Sequence, residues 1–581
     1  MRGLALWALP ALALVAAGCG SSSNKSSSSS SSGSGQVAPK TGKQGGSITA
    51  LDSSDVDYLD PGHTYYTFGY TIAYATQRPL YAFKPGSNNP VPDLASGPPQ
   101  ISADNKTITV KIRPGVKFSP PVNRVVTSKD VKYAFERAFT ANVANEYTTY
   151  FQDIVGAPQK PGPFKTISGI QTPDDSTLII KLTKPEAVGV AAALVMPITM
   201  PVPEEYAKKF DAKNPSTYNT HVVFTGPYMI KNDAAGNLVG YKPGTSIQLV
   251  RNPNWDKSTD FKPAYLDSIF LRTNATNASV SSRQVLSGSH LVTLENPPAA
   301  ELKLAVEQYK NQFVQLPGGG FRYFPLNTTV KPFDNINVRK AIIAAFDRNA
   351  VRLARGGVFT GDIPTHFLPP GIPGFEEAGG LTGPGFDFLK NPSGNMALAT
   401  SYMKKGGFPS GKYTGGTVFT MVTANAGPGK AQAEVAQAQF AKLGFKVKLQ
   451  QVPQDSVYTD YCQVPKKKLF SCGSAGWFKD YNDPQSMLQP TFDGSAININ
   501  GGNNNLAQLN DPAVNAAMQK AAVLSGSARA KAWADIDKMI TADAPAVPFL
   551  WDKTTNLESK DVQAAGNSYY DSWDLTFISV K

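Results

Sequence analysis

Cys462 and Cys472 stand with nine residues between them in a chain of 581 residues whose only other cysteine is Cys19. Two thiols so close in sequence can close a small loop, provided the compartment oxidises them. The remaining chemistry-bearing residues form no reactive pattern. His63, His221, His290 and His366 are far apart, with no His-Glu-x-x-His and no Cys/His pair at zinc spacing, so no metal site is expected. Gly427-Pro428-Gly429-Lys430-Ala431 resembles a phosphate loop only in part. Ala424 stands where the first Gly belongs, and Ala431 where a hydroxyl would hold Mg²⁺. No Gly-x-Ser-x-Gly presents a serine nucleophile, and Glu204-Glu205 reads as a solvated pair. Neither catalysis nor a cofactor is expected.

The N-terminus sets the compartment. Arg2 precedes an apolar run from Leu4 to Ala17, broken by Pro10, which has the form of a secretory signal and is too short for a membrane span. Ala16-Ala17-Gly18-Cys19 is similar to a bacterial lipobox, with Ala16 where Leu is common. Residues 1–18 are therefore read as a signal peptide, and Cys19 as the lipid-modified anchor. Gly20 to Gly35 is almost all Ser and Gly, a composition that buries nothing, and residues 19–44 are read as a tether. From Gly20 to Gly46 such a coil spans roughly 30 Å. In an oxidising compartment Cys462 and Cys472 are expected to pair, which loop entropy values at about 2 to 3 kcal/mol.

From Gly46 onward the net charge is +8, with no dense basic block, which excludes a nucleic-acid surface; Lys466-Lys467-Lys468 reads as a solvated loop. A folded part this long calls for three or four structural units. Ser47–Leu51 has the makings of a strand, and in 107–112 Thr107, Thr109 and Lys111 alternate with Ile108, Val110 and Ile112. Thr127-Ser128-Lys129-Asp130 fits a capping box ahead of Val131, Phe135, Ala138 and Phe139. Strands are expected at Tyr228–Ile230 and Ile247–Val250, and a helix from Asn337. A further helix over Lys430–Leu443 should run through Gly444 into an alternating strand of Phe445, Val447 and Leu449.

Several segments, in order, resemble the bacterial extracellular solute-binding proteins of family 5, the peptide and nickel type. They are Leu59-Asp60-Pro61, Pro92-Asp93-Leu94-Ala95, Arg113-Pro114-Gly115-Val116-Lys117-Phe118, Thr225-Gly226-Pro227-Tyr228 and Arg251-Asn252-Pro253-Asn254-Trp255. Further on come Leu326-Asn327-Thr328, Val338-Arg339-Lys340-Ala341, Gly476-Trp477 with Asp480-Tyr481-Asn482-Asp483-Pro484, and Asp543-Ala544-Pro545. Ser119-Pro120-Pro121 departs from the Asp-Gly turn usual there.

The resemblance implies an α/β, two-lobed periplasmic-binding-protein-like fold of type II, with an extra subdomain and an interlobe ligand cleft. Lobe I is expected at 45–70, 200–310 and 525–581, its subdomain at 71–199 and lobe II at 311–524, with two chain crossings as the hinge. It further implies an extracytoplasmic monomer on the outer face of the cytoplasmic membrane or in the periplasm, delivering a peptide-like ligand, or alternatively a nickel chelate, an oligosaccharide or another amine, to ABC permease subunits served by a cytoplasmic ATPase. Asp480 is the residue that pairs with a peptide ammonium group in peptide-binding members; in other members it caps a turn. Trp477 and Tyr481 are cleft walls or core. An Arg that some oligopeptide binders carry three residues before the Trp is replaced by Ser474.

Overall fold

The computed structural model describes residues 39–581 apart from 426, 474, 500 and 501, and of Asp455 only the backbone. The signal peptide, Cys19, most of the tether and Ser474 lie outside the described residues.

Strand Ser47–Leu51 turns Ile48, Ala50 and Leu51 inward. It lies between Ser268–Arg272 and Leu291–Thr293, both parallel to it, and Ser246–Arg251 and Tyr228–Ile230 continue the sheet antiparallel. A second antiparallel sheet has Thr107–Lys111 and Thr177–Lys181 at its centre, with Ile108 and Val110 fully buried. The helix Ser128–Ala138 starts as its sequence indicates. The Asp130 carboxylate accepts from the Thr127 backbone N–H at 2.7 Å and from the Thr127 hydroxyl at 3.1 Å, tying the first turn to the residue before it. Helix Thr67–Thr76 joins the two cores, giving Ile72 and Ala75 to one and Tyr70 and Tyr74 to the other.

The second lobe holds a parallel three-stranded sheet, ordered Lys446–Val452, Val418–Ala424, Ser471–Cys472. Helix Gly427–Lys442 makes the crossover between the first two, burying Ala433, Ala436 and Phe440. It ends at Gly444, whose φ of +87° reverses the chain into the next strand, a conformation glycine adopts without strain. Cys462 and Cys472 are joined as a disulfide, with Cα atoms 6.1 Å apart.

Two antiparallel strands, Phe313–Pro325 and Ala546–Leu557, pass between the lobes. Their first pairs, Phe313↔Leu557 to Pro317↔Lys553, sit with the first lobe, where Val314 and Leu316 join its core. Pairing stops across Gly318-Gly319-Gly320 and resumes at Phe321↔Trp551, inside the second lobe's core. The expected boundary at 525 moves for this reason. Helix Gly526–Asp543 inserts Trp533, Ile536 and Ile540 among Phe321, Met487 and Phe492, so it packs with lobe II, and the return to lobe I falls within Ala546–Leu557.

Candidate functional site

Strand Ala475–Phe478 pairs along one side with Phe313–Pro325 and, among the described residues, has no strand on its other side. The chain leaves it through Lys479 and Asp480 into a turn held by charge. Arg529, on helix Gly526–Asp543, grips Asp483 with two hydrogen bonds of 2.8 and 2.9 Å, while Asp483 caps helix Pro484–Phe492 through the Gln485 N–H at 2.8 Å. Charge-assisted fork geometry of this kind fixes orientation as well as position. Asp480 is thus aimed from lobe II at the opposing wall.

Tyrosines make that wall. The Tyr150 hydroxyl donates to Asp480 Oδ2 and the Tyr65 hydroxyl to Oδ1 at 3.4 Å, while the Tyr569 hydroxyl donates to the Asp480 carbonyl at 2.9 Å. Each is locally fixed. The Asn145 side chain caps the short helix Glu146–Phe151 that carries Tyr150, accepting from the Tyr147 N–H at 2.8 Å. Asp57 gathers the Tyr65 and Tyr66 N–H groups and the Thr64 hydroxyl ahead of helix Thr67–Thr76. Burial pushes the Asp480 carboxyl up to about 7; the Tyr150 and Tyr65 hydroxyls pull it down and Glu146 raises it further.

Asp480 and Trp477 line two adjoining cavities, of about 640 and 510 Å³. The larger runs between Tyr65, Tyr70 and Tyr147 on one side and Tyr458, Trp477 and Lys479 on the other. The smaller is acidic, with Glu146, Glu186 and Asp493 on its walls. A third, of about 600 Å³, continues past Arg322 and Phe478 to Arg355 and Asp552. There Arg322 Nε lies 2.6 Å and Arg355 Nε 3.4 Å from the two oxygens of Asp552, so two guanidinium groups share one carboxylate. Lys479 donates to the Ser568 carbonyl at 2.6 Å and stands 4.0 Å from Asp571. Burial lowers the lysine and raises Asp571 to about 8. The cleft is negative at one end and positive at the other.

Of the residues singled out in the sequence, Asp480 and Trp477 come together on the cavity wall, and the Trp477 indole N–H is anchored on the Ser486 carbonyl at 2.8 Å. Tyr481 borders the smaller cavity beside them, is 2% exposed and packs edge-on against Tyr150, with ring centroids 5.1 Å apart. Cys462 and Cys472 tie a loop whose Gln463 faces the larger cavity, as does Tyr458 on the turn that precedes it. Sequence reasoning missed Tyr65, Tyr150, Tyr569, Lys479 and Arg322. Lys479 was adjacent to a residue already chosen, and that adjacency was the only local signal. Among the described residues no cluster of His, Cys, Asp and Glu could hold a metal ion, and no helix is long and apolar enough to cross a membrane.

Residues 89–498 match the model of the bacterial extracellular solute-binding proteins, family 5 Middle. The chain belongs to that family. Family-5 proteins bind solutes rather than transform them, in keeping with a cleft built of a carboxylate, phenols and shared cations. Similar curated proteins include heme-binding protein A of Haemophilus influenzae, 27% identical over 482 residues that cover 81% of this chain and 80% of the relative. Di/tripeptide-binding protein 3 of Pseudomonas aeruginosa is 26% identical over 72% of this chain and 74% of its own. Among solved structures, clavulanic acid biosynthesis oligopeptide binding protein 2 superposes with a TM-score of 0.81 at 24% identity, covering 94% of this chain and 98% of that one. This likeness establishes the two-lobed fold.

Proposed function

We propose that this family-5 protein is the extracytoplasmic substrate-binding component of an ABC importer, and that it captures short peptides between its lobes. The observation that carries the reading is Asp480, a carboxylate where two interlobe cavities meet, whose side-chain partners are phenolic hydroxyls rather than a cation. A peptide ammonium group supplies the missing positive charge in a water-poor cleft. The open side of strand Ala475–Phe478 offers main-chain hydrogen bonds to an extended ligand, so affinity does not depend on ligand side chains. Trp477 is read as a wall against the ligand, and Tyr481 as acting through Tyr150. The two guanidiniums that share Asp552 are the natural end for the ligand's carboxylate. Lobe II is assigned to about 321–545, lobe I to 45–70, 200–316 and 553–581, and the subdomain to 71–199. The protein is read as a non-enzymatic monomer, anchored through Cys19.

Thermal shift of the protein from Gln36 to Lys581 tests this against di- to pentapeptides, the same peptides acetylated at the amino terminus, and a panel of metal chelates, oligosaccharides and amines. Free peptides are expected to raise the melting temperature and acetylated ones not to. Asp480→Ala should weaken peptide binding by about 2 to 5 kcal/mol, roughly 30- to several-thousand-fold. A response to another solute with none to peptides would keep the fold and change the cargo.

A further inference from the structure

Lobe II carries a second recess away from the ligand cleft. Between 396 and 470 the chain has 10 lysines and 3 acidic residues, and two of those lysines, Lys467 and Lys468, line a recess beside the parallel sheet together with Lys331. Strand Ser471–Cys472 is so short that it covers only Met421 and Val422 of the central strand. Among the described residues, Val418, Phe419 and Thr420 pair only with Lys446, Val447 and Lys448 of the neighbouring strand. Their other edge borders a recess of about 560 Å³, closed on its far side by Lys467 to Phe470 and rimmed by Lys331. Val418 is 58% exposed. Lys331, Lys446, Lys448, Lys467 and Lys468 form no ion pair among the described residues; Lys467 lies over the Tyr461 ring at 4.0 Å.

One continuous segment, from Val457 to Phe470, faces both the recess and the larger cavity. Its π-helical turn Val457–Cys462 and the disulfide to Cys472 hold it as one piece. Tyr458 and Gln463 line the ligand cavity, whereas Tyr461, Lys467 and Lys468 line the recess. We propose that this recess is a docking surface for an acidic, extended segment of a protein partner, which adds to the uncovered edge of Val418–Thr420 between the lysines. An unpaired strand edge beside apolar walls fits a polypeptide, whose backbone can pair with it, better than a flat anionic lipid surface. Because one continuous segment, the turn Val457–Cys462 and the disulfide-closed loop that follows it, touches both sites, an occupant of the recess feels whether Tyr458 and Gln463 contact ligand. A partner that must distinguish loaded from empty protein is the membrane permease; that identity rests on the function proposed above, whereas the acidic-segment site does not.

The test uses an octapeptide alternating Glu and Thr, acetylated and amidated so that it offers Asp480 no ammonium, with a Lys/Thr octapeptide and phosphatidylglycerol vesicles as comparisons. The protein should bind the acidic peptide, more weakly as salt rises, and not the basic one. Lys331→Glu/Lys467→Glu/Lys468→Glu should weaken that binding about tenfold or more while leaving the melting temperature and the affinity for the cleft ligand unchanged. Lys468→Gly is the gentler variant. Lys468 has φ +48°, which glycine adopts freely, so the substitution removes a charge without disturbing the turn and should give a smaller loss in the same direction. Equal binding by wild type and the triple variant overturns the proposal, as does binding to vesicles without binding to the acidic peptide. A parallel loss of cleft-ligand affinity would also overturn it, by making the recess part of the ligand site. With the importer reconstituted, the triple variant should bind ligand normally and fail to stimulate uptake.

Discussion

Replacing Asp480 by Asn should make the protein more stable while it ruins ligand capture. Burial raises the carboxyl from an ordinary 3.8 to about 7, so the native state holds a proton between about pH 4 and 7 that the unfolded chain has released. A group raised in this way lowers stability as pH climbs through that window, and the full penalty is present above 7. At 1.36 kcal/mol per unit the penalty at pH 8 is at most about 4 kcal/mol, and exposure to the cleft reduces it to about 2. Asn carries no charge to desolvate, and it keeps an oxygen for one of the two tyrosine hydroxyls. Calorimetry without peptide should therefore show Asp480→Asn melting about 4 to 8 °C above wild type at pH 8, taking lobe II as the unit that responds. At pH 5 the gain should fall to roughly a third, since most of the wild-type carboxyl is then protonated. Peptide affinity in the same variant should drop at least about 30-fold. An Asn variant no more stable than wild type at pH 8, or one whose gain is as large at pH 5, would sink the argument that Asp480 is a strained carboxylate awaiting a cation.

Three further outcomes follow from the packing. Arg137 bridges Asp60, at 2.7 and 2.9 Å, and Asp211, at 2.6 and 2.7 Å, so Arg137→Met strands two buried carboxylates and should cost about 3 to 5 kcal/mol in denaturant unfolding. The double variant Cys462→Ser/Cys472→Ser should lose about 2 to 3 kcal/mol, and mass spectrometry of unreduced wild type should find neither thiol open to alkylation. Gly319 has φ +56° and faces the Lys479 side chain, so Gly319→Ala should cost about 1 to 2 kcal/mol and weaken ligand binding by displacing Lys479. Gly97→Ala, with nothing near its new methyl, is the control and should leave both unchanged.

Local chemistry made much of the fold legible. The Thr127–Asp130 capping box, the alternation through Thr107–Lys111 and the helix that passes through Gly444 into Lys446–Val452 each occupy a few consecutive residues, and each element forms where its own side chains dictate. The boundary near 525 was not legible for the opposite reason. Trp533, Ile536 and Ile540 mark a buried face on helix Gly526–Asp543, but an amphipathic pattern states that a face is covered and not which lobe covers it. The site shows the same limit more sharply. Asp480 and Trp477 sit in one short segment that resembles its family, whereas Tyr65 and Tyr150 reach Asp480 from 415 and 330 residues away, and no spacing rule spans such intervals.

On the proposed reading, the arrangement of charge in the cleft gives the two ends of a peptide separate partners. Asp480 is raised by burial, so binding an ammonium group there relieves a cost already present in the unoccupied protein and does not depend on new contact area. Arg322 and Arg355 crowd one Asp552, and burial together with the neighbouring guanidinium lowers Arg355 to about 10, so a ligand carboxylate relieves the second strain at the other end. A neutral solute of the same shape would fill the cavity and relieve neither. Under the proposed reading selectivity resides in the protein's own desolvation penalties, so an acetyl group on the ligand should cost more than the hydrogen bond it removes.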